Sequence, residues 1–186
     1  MAERIETVWE NDLTPAQHAE LSAALADIFD TEPGEREQFD GGRSWAGARP
    51  EFRLVARDER GIAGHIGFLR RFLRIDDHDQ LVAELGLVAV RADLRGDGLG
   101  GRLLDASDAL LTDLATPFAF LGCKPGAAGF YQRNGWHLVD VVPRYPSNDS
   151  PYEVRDAPAI TLVKAMAQPL ETWPAGKAVE WNGLKL

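Results

Sequence analysis

A lone cysteine, Cys123, rules out an internal disulfide and suits a reducing compartment. The four histidines show no metal-ligand spacing, so no metal site is expected. Apolar runs stay far short of the roughly 20 residues a membrane-spanning helix needs. The first dozen residues have no signal-peptide layout, and the expected address is the cytoplasm. Basic residues are outnumbered 29 to 20, a formal charge of −9, which argues against nucleic acid as partner and leaves room for a cationic acceptor. Internal repeats, low-complexity tracts and a dividing linker are all missing. Residues 1–186 are therefore expected to form a single domain with a proper core, and the 45% hydrophobic and 26% charged content suits a globular chain.

The chain is organised around residues 84–114. Leu85 to Val90 reads as an apolar strand that enters a short polar loop and becomes a helix at a cluster of glycines. Leu99, Leu103, Ala106, Leu110 and Leu114 are spaced as one helical face, with Asp105, Asp108 and Thr112 turned away. Arg95-Gly96-Asp97-Gly98-Leu99-Gly100-Gly101 sits at the join. Glycine lets backbone approach a ligand closely, and the first N–H groups of a helix have no internal partner. With the positive end of the helix dipole they make a phosphate cradle. It is no P-loop, because no Gly-Lys-Ser/Thr follows at the required spacing. Gly96-x-Gly98-x-x-Gly101 fits the dinucleotide fingerprint by letter, but the next strand, Phe118 to Cys123, ends in Gly-Cys-Lys and offers no carboxylate for a ribose.

The remaining chain gives further elements. Residues 5–10 suit an edge strand. Thr14-Pro15-Ala16-Gln17 is a helix start with a capping box, followed by Leu21, Leu25 and Ile28 as the buried face. Residues 41–50 form a glycine-rich connector. Strands are expected at 51–57, 62–72 and 81–90, at 137–142 and at 159–165, with 143–158 a proline-rich loop.

Arg95-Gly96-Asp97-Gly98-Leu99-Gly100 resembles the acyl-CoA pyrophosphate loop of the GNAT acyltransferase superfamily, Gln/Arg-x-x-Gly-x-Gly/Ala. Phe130-Tyr131 with Gly135-Trp136 is similar to a second landmark of that superfamily. The resemblance implies an α/β (α+β) GNAT fold, a mixed central β-sheet flanked by helices with a V-shaped splay between the fourth and fifth strands. Two branches lie nearer. Gly42 to Glu51, Ala63 to Phe72, Leu81 to Leu87 and Trp173 to Gly176 look like the NodA family of N-acyltransferases, which place an acyl chain on a chito-oligosaccharide amine. Val88 to Gly96, Phe130-Tyr131 with Gly135-Trp136, and Glu180-Trp181 resemble the aminoglycoside 2′-N-acetyltransferases.

The intact loop and the intact Phe130-Tyr131 segment suit a CoA thioester. The favoured function is therefore acetylation by acetyl-CoA of an amino-sugar amine, an aminoglycoside such as kasugamycin, with antibiotic resistance as its outcome. The alternatives are a NodA-like transferase using a longer acyl donor and a non-catalytic acyl-CoA-binding module. The resemblance implies that Val88, Ala89 and Val90 pair with the pantetheine arm. It also implies that Gly96, Asp97, Gly98, Leu99, Gly100 and Gly101 hold the pyrophosphate through main-chain N–H, with charge from Arg95 and Arg102. Tyr131 is the candidate general acid and Glu84 the candidate base. Asp30, Glu32, Asp40, Glu84, Glu180, Trp181 and the Leu186 carboxylate are candidates for the acceptor. Cys123 reads as an inert thiol and His65 as a packed, hydrogen-bonded histidine. The expected partner is a small cationic amino sugar, with no nucleic acid and no membrane, and a homodimer is the assembly allowed for.

Overall fold

The computed structural model describes residues 3–30, 36–146, 154–156 and 159–186. They fall into two compact units, one of residues 3–69, 86–107 and 186, the other of residues 70–85 and 108–185.

In the first unit, β1 (Arg4–Trp9) pairs antiparallel with β2 (Phe52–Asp58), and β2 pairs with the early part of β3 (Gly61–Ile75). Helix α1 (Pro15–Ile28) starts where the sequence says it must. The Thr14 Oγ1 accepts from Gln17 N–H at 3.3 Å, and the Gln17 side chain accepts from Thr14 N–H at 2.9 Å. Leu21 and Leu25 are fully buried, whereas Ile28 is half-buried. Leu25, Ala26, Phe39 and Ala89 form one apolar cluster of this unit, and Leu21, Val55 and Ile62 another.

The second unit, to which β4 (His78–Val90) gives residues 78–85 and β3 residues 70–75, has its strands in the order β6 (His137–Val139), β9 (Ile160–Ala165), β5 (Phe118–Cys123), β4, β3, β10 (Ala178–Trp181), β7 (Val142–Pro146) and β8 (Val154–Asp156). The β4–β5 and β10–β7 pairs are parallel. The β4–β5 ladder covers only Val82–Phe118, Ala83–Ala119 and Glu84–Phe120, and it stops there although both strands continue; β5 stays paired with β9 to Cys123. The fourth and fifth strands, the pair at which a splay is expected, are thus hydrogen-bonded only at the start of β5. Phe118, Phe120, Val82, Val163, Leu73 and Val179 make the core of this unit, with Trp173 edge-on to Phe118 at 5.2 Å.

Two expectations need correcting. The strip of α2 (Leu99–Asp113) that is buried is Leu99, Leu103, Leu104, Ser107 and Leu111, while Ala106, Leu110 and Leu114 are half-buried. Leucine pairs at 103–104 and 110–111 fit either face, so periodicity alone does not choose between them. The proline-rich segment 143–158 also contains β7 and β8, paired antiparallel. No helix among the described residues is long and apolar enough to cross a membrane.

Candidate active site

The glycine turn lies in the first unit and is exposed up to Gly98. Gly96 and Gly98 have φ of +93° and +79°, a backbone that an L side chain adopts only under strain, so the turn needs glycine there. The first intrahelical bond of α2 runs from Arg102 N–H to the Gly98 carbonyl at 3.1 Å. The N–H groups of Leu99, Gly100 and Gly101 therefore precede the hydrogen-bonded ladder, at the positive end of a 15-residue helix. That donor set fits an anionic phosphate group. The Leu99 side chain is fully buried, so its backbone alone can serve a ligand.

The two arginines are already engaged. The Arg95 Nε donates to the Val90 carbonyl at 3.1 Å, and the exposed Arg102 donates to the Asp97 carbonyl at 3.1 Å and to Glu3 at 2.6 Å. Arg102 is thus a brace across the turn as well as a charge beside it.

The end of β4 leads into this turn. Leu87 has φ +52°, left-handed backbone that costs a non-glycine residue on the order of 1–2 kcal/mol and persists only where its surroundings impose it. The Leu87 side chain packs against the Leu25, Ala26, Phe39 and Ala89 cluster, and its carbonyl accepts from His65 Nδ1 at 2.8 Å. Val88 and Val90 are half-buried and Ala89 is buried.

Behind His65 lies a polar network that sequence reasoning missed. Arg53 is fully buried, and all five of its donors are satisfied. Nε and Nη2 reach the Glu10 carboxylate at 2.7 and 3.2 Å, Nη2 also reaches Ser44 Oγ at 3.0 Å, and Nη1 reaches the Ser44 carbonyl at 2.9 Å and His65 Nε2 at 3.1 Å. Burial opposes the charge of Glu10, but hydrogen bonds from Arg53 and Arg49 outweigh it and hold its carboxyl below the usual range. An arginine N–H can only donate, so His65 Nε2 accepts, and Nδ1 carries the proton given to Leu87. Burial, joined by repulsion from the Arg53 guanidinium, holds the imidazole pKa down to about 3, so His65 is neutral. The available signal was Arg53 itself, a charge set in the otherwise apolar opening of β2, together with the resemblance segments that carry Ser44, Arg49 and His65.

In the second unit, helix α3 (Pro125–Arg133) presents Tyr131, which is buried edge-on to Phe130 and Trp136 at 5.1 and 5.9 Å. Burial pushes its phenol pKa up, which keeps it protonated. Burial also raises the pKa of Cys123, so the thiol stays protonated, in keeping with an inert role. Glu84 is buried with its carboxylate 3.0 Å from Arg71 Nη1, and the same guanidinium donates to the Leu184 carbonyl at 2.6 Å and to Asn182 at 3.3 Å. The Arg71 guanidinium is buried as well, and Glu84 supplies its counter-charge. Glu84, the candidate base, thus also anchors Arg71.

The acceptor candidates come from both units. Asp30 is exposed and 3.4 Å from Arg36, Asp40 is exposed, and Glu32 lies outside the described residues. On β10 successive side chains face opposite ways. Glu180 points outward to Arg144 at 2.7 Å, while Trp181 points into the core against Phe120 at 5.2 Å. Trp181 is thus a core residue, corrected from the expected acceptor wall. Leu186 packs on β4 at Gly86, where an added Cβ would meet its carbonyl oxygen at 2.9 Å. No cluster of metal ligands occurs among the described residues.

Comparison with known proteins places this geometry. Among solved structures, the GNAT family N-acetyltransferase YhbS of Escherichia coli in complex with CoA superimposes with a TM-score of 0.64 at 19% identity, covering 98% of this chain and 92% of that one. Escherichia coli ElaA does so with a TM-score of 0.61 at 20% identity, covering 88% and 99%. At these identities the likeness establishes the fold, a GNAT fold. Nodulation protein A of Rhizobium leguminosarum bv. trifolii is 39% identical over 198 residues, covering 98% of this chain and 97% of that protein. The Rhizobium tropici protein of the same name is 38% identical over 193 residues, covering 96% and 95%. Residues 3–186 match the family described as Nodulation protein A (NodA), and the chain belongs to that family, on the acyltransferase fold of the GNAT superfamily.

Proposed function

We propose that this chain is an N-acyltransferase that moves an acyl group longer than acetyl from a thioester donor to a primary amine of an amino sugar. The observation that carries this is a family match over residues 3–186 combined with 39% identity to a nodulation protein over 98% of this chain. Acetylation of an aminoglycoside, which the intact motifs of the sequence favoured, gives way: the curated relatives are nodulation proteins, and resistance has no support among them. An acyl-CoA donor is in keeping with the CoA bound to the structural neighbour and with the amides of the glycine turn.

In this reaction the neutral amine attacks the thioester carbonyl, a C–N bond forms as the C–S bond breaks, the nitrogen releases a proton to water, and the departing thiolate takes one up. The amides of Gly96 to Gly101 hold the donor phosphates. The backbone of Val88, Ala89 and Val90 carries the donor arm, and an N–H there stabilises the developing oxyanion. Tyr131, protonated at working pH, supplies the proton to the leaving thiolate. Glu84 holds Arg71.

A donor panel tests this directly. Acetyl-CoA, a long-chain acyl-CoA and a long-chain acyl carrier protein are each offered with a chito-oligosaccharide amine and with an aminoglycoside. Transfer of the long chain to the chito-oligosaccharide is expected. Preference for acetyl-CoA with the aminoglycoside would overturn the donor and acceptor together, and CoA binding without product from any pair would favour a non-catalytic module.

A further inference from the structure

We propose that His65, backed by Arg53 and Glu10, is a positioning residue that fixes the Leu87–Val88 peptide so that the Val88 N–H is held ready for the donor carbonyl. The inference deepens the acyl-transfer function proposed above and rests on it for the role of that N–H.

A trans peptide is planar, and its C=O and N–H point in opposite directions. The peptide bonds among the described residues are all trans. Whatever grips the Leu87 carbonyl therefore also aims the Val88 N–H. The grip is His65 Nδ1–H at 2.8 Å. It acts at the one residue of β4 with left-handed backbone, where the ordinary preference of leucine would turn the peptide another way.

A histidine alone could offer either ring nitrogen. The choice is made by Arg53, whose Nη1 donates to Nε2 at 3.1 Å and so leaves the proton on Nδ1. Arg53 in turn cannot rotate away, because Glu10 holds it on two nitrogens and Ser44 supplies two more acceptors. A buried guanidinium with its carboxylate is costly unless every donor is met, and here every donor is met. A structural role confined to filling space would not need the last link, from the ring to a strained carbonyl.

Two substitutions split the ring into its halves. His65→Asn puts an amide N–H near the Nδ1 position and keeps the donor to Leu87, but leaves Arg53 Nη1 short of an acceptor. His65→Gln reaches the Nε2 position and keeps the acceptor for Arg53, but leaves the Leu87 carbonyl without its donor. Each removes one buried hydrogen bond, so thermal midpoints should fall comparably. With the donor and amine that the panel selects, kcat of His65→Gln should fall about tenfold or more with KM for the donor within about twofold. The His65→Asn variant should stay within about threefold of wild type. Equal kcat in the two variants would overturn the proposal.

Nuclear magnetic resonance gives readouts that need no activity. The wild-type His65 ring should be the Nδ1–H tautomer, and an Nε2–H tautomer would overturn the proposal even if neither variant folds. The Val88 amide nitrogen and Leu87 carbonyl carbon shifts should move in His65→Gln and not in His65→Asn; identical shifts in both would also overturn it. A wild type that transfers nothing from any donor would sink the acyltransferase function, and the tautomer and shifts would still decide whether His65 sets this peptide.

Discussion

Acidification is the perturbation that most directly interrogates the buried network. His65 is fully buried, and its imidazole pKa is lowered from about 6.5 to about 3. In the unfolded chain it titrates near 6.5, so below that pH the unfolded state binds a proton that the folded state refuses. The sign follows: the stability is fully present above pH 6.5 and is lost progressively as pH falls toward 3. Each pH unit in that window costs about 1.4 kcal/mol, so lowering pH from 6.5 to 5 should remove about 2 kcal/mol. His18, whose pKa is also lowered by burial, acts in the same direction. Carboxylates with lowered pKa, such as Glu10 and Asp58 (about 2), lose their contribution only below about 4.5, so pH 5 to 7 isolates the histidines. Urea unfolding at pH 7, 6 and 5 measures the effect, and His65→Asn isolates its source, since that variant should lose most of the pH dependence while starting from lower stability. A wild-type unfolding free energy that is flat between pH 7 and 5, or an equally steep decline in His65→Asn, would show that the ring is not held neutral by this network.

Four further outcomes follow from the geometry. Tyr131→Phe keeps the packed ring and should leave the melting temperature nearly unchanged while lowering kcat by about 10²-fold or more, measured by release of the free thiol. Gly98→Ala places a side chain at φ +79°, which should destabilise by about 1–2 kcal/mol and weaken CoA binding in calorimetry more than it weakens binding of the amine acceptor. Glu84→Gln leaves the Arg71 charge without its carboxylate and should cost about 3 kcal/mol in urea unfolding; a loss of turnover with unchanged stability would instead support Glu84 as the base. Thr14→Ala removes the reciprocal cap of α1 and should cost about 1 kcal/mol by the same measurement, with transfer unaffected.

Local signals explain what could be read without coordinates. A capping box acts within four residues, a turn with left-handed backbone favours glycine, and β5 is a short apolar run bounded by Pro117 and Lys124. These gave the start of α1, the turn at 96–101 and the bounds of β5. Ambiguity entered where two registers satisfied the same pattern, as with the leucine pairs of α2, or where proline concealed a strand. Pro143 and Pro146 both lie in β7, where the strand pairs in parallel with β10 and is capped by β8 on its other side.

The buried network lies beyond any local signal, because its members come from four separate places: the turn just after β1, the connector at Ser44, β2 and β3. Glu10 and Arg53 are 43 residues apart, and a charged residue inside an apolar strand is tolerable only because the distant carboxylate arrives. Such an arrangement is costly to fold, and replacing it with apolar side chains would often be no worse for stability. Its persistence is better explained by something an apolar core cannot do. A leucine at position 65 can fill the space, but it cannot donate to the Leu87 carbonyl, and the strained peptide in β4 then loses the side-chain bond that holds it. The charges buried behind β3 thus fix one hydrogen bond, and through it the direction of one amide.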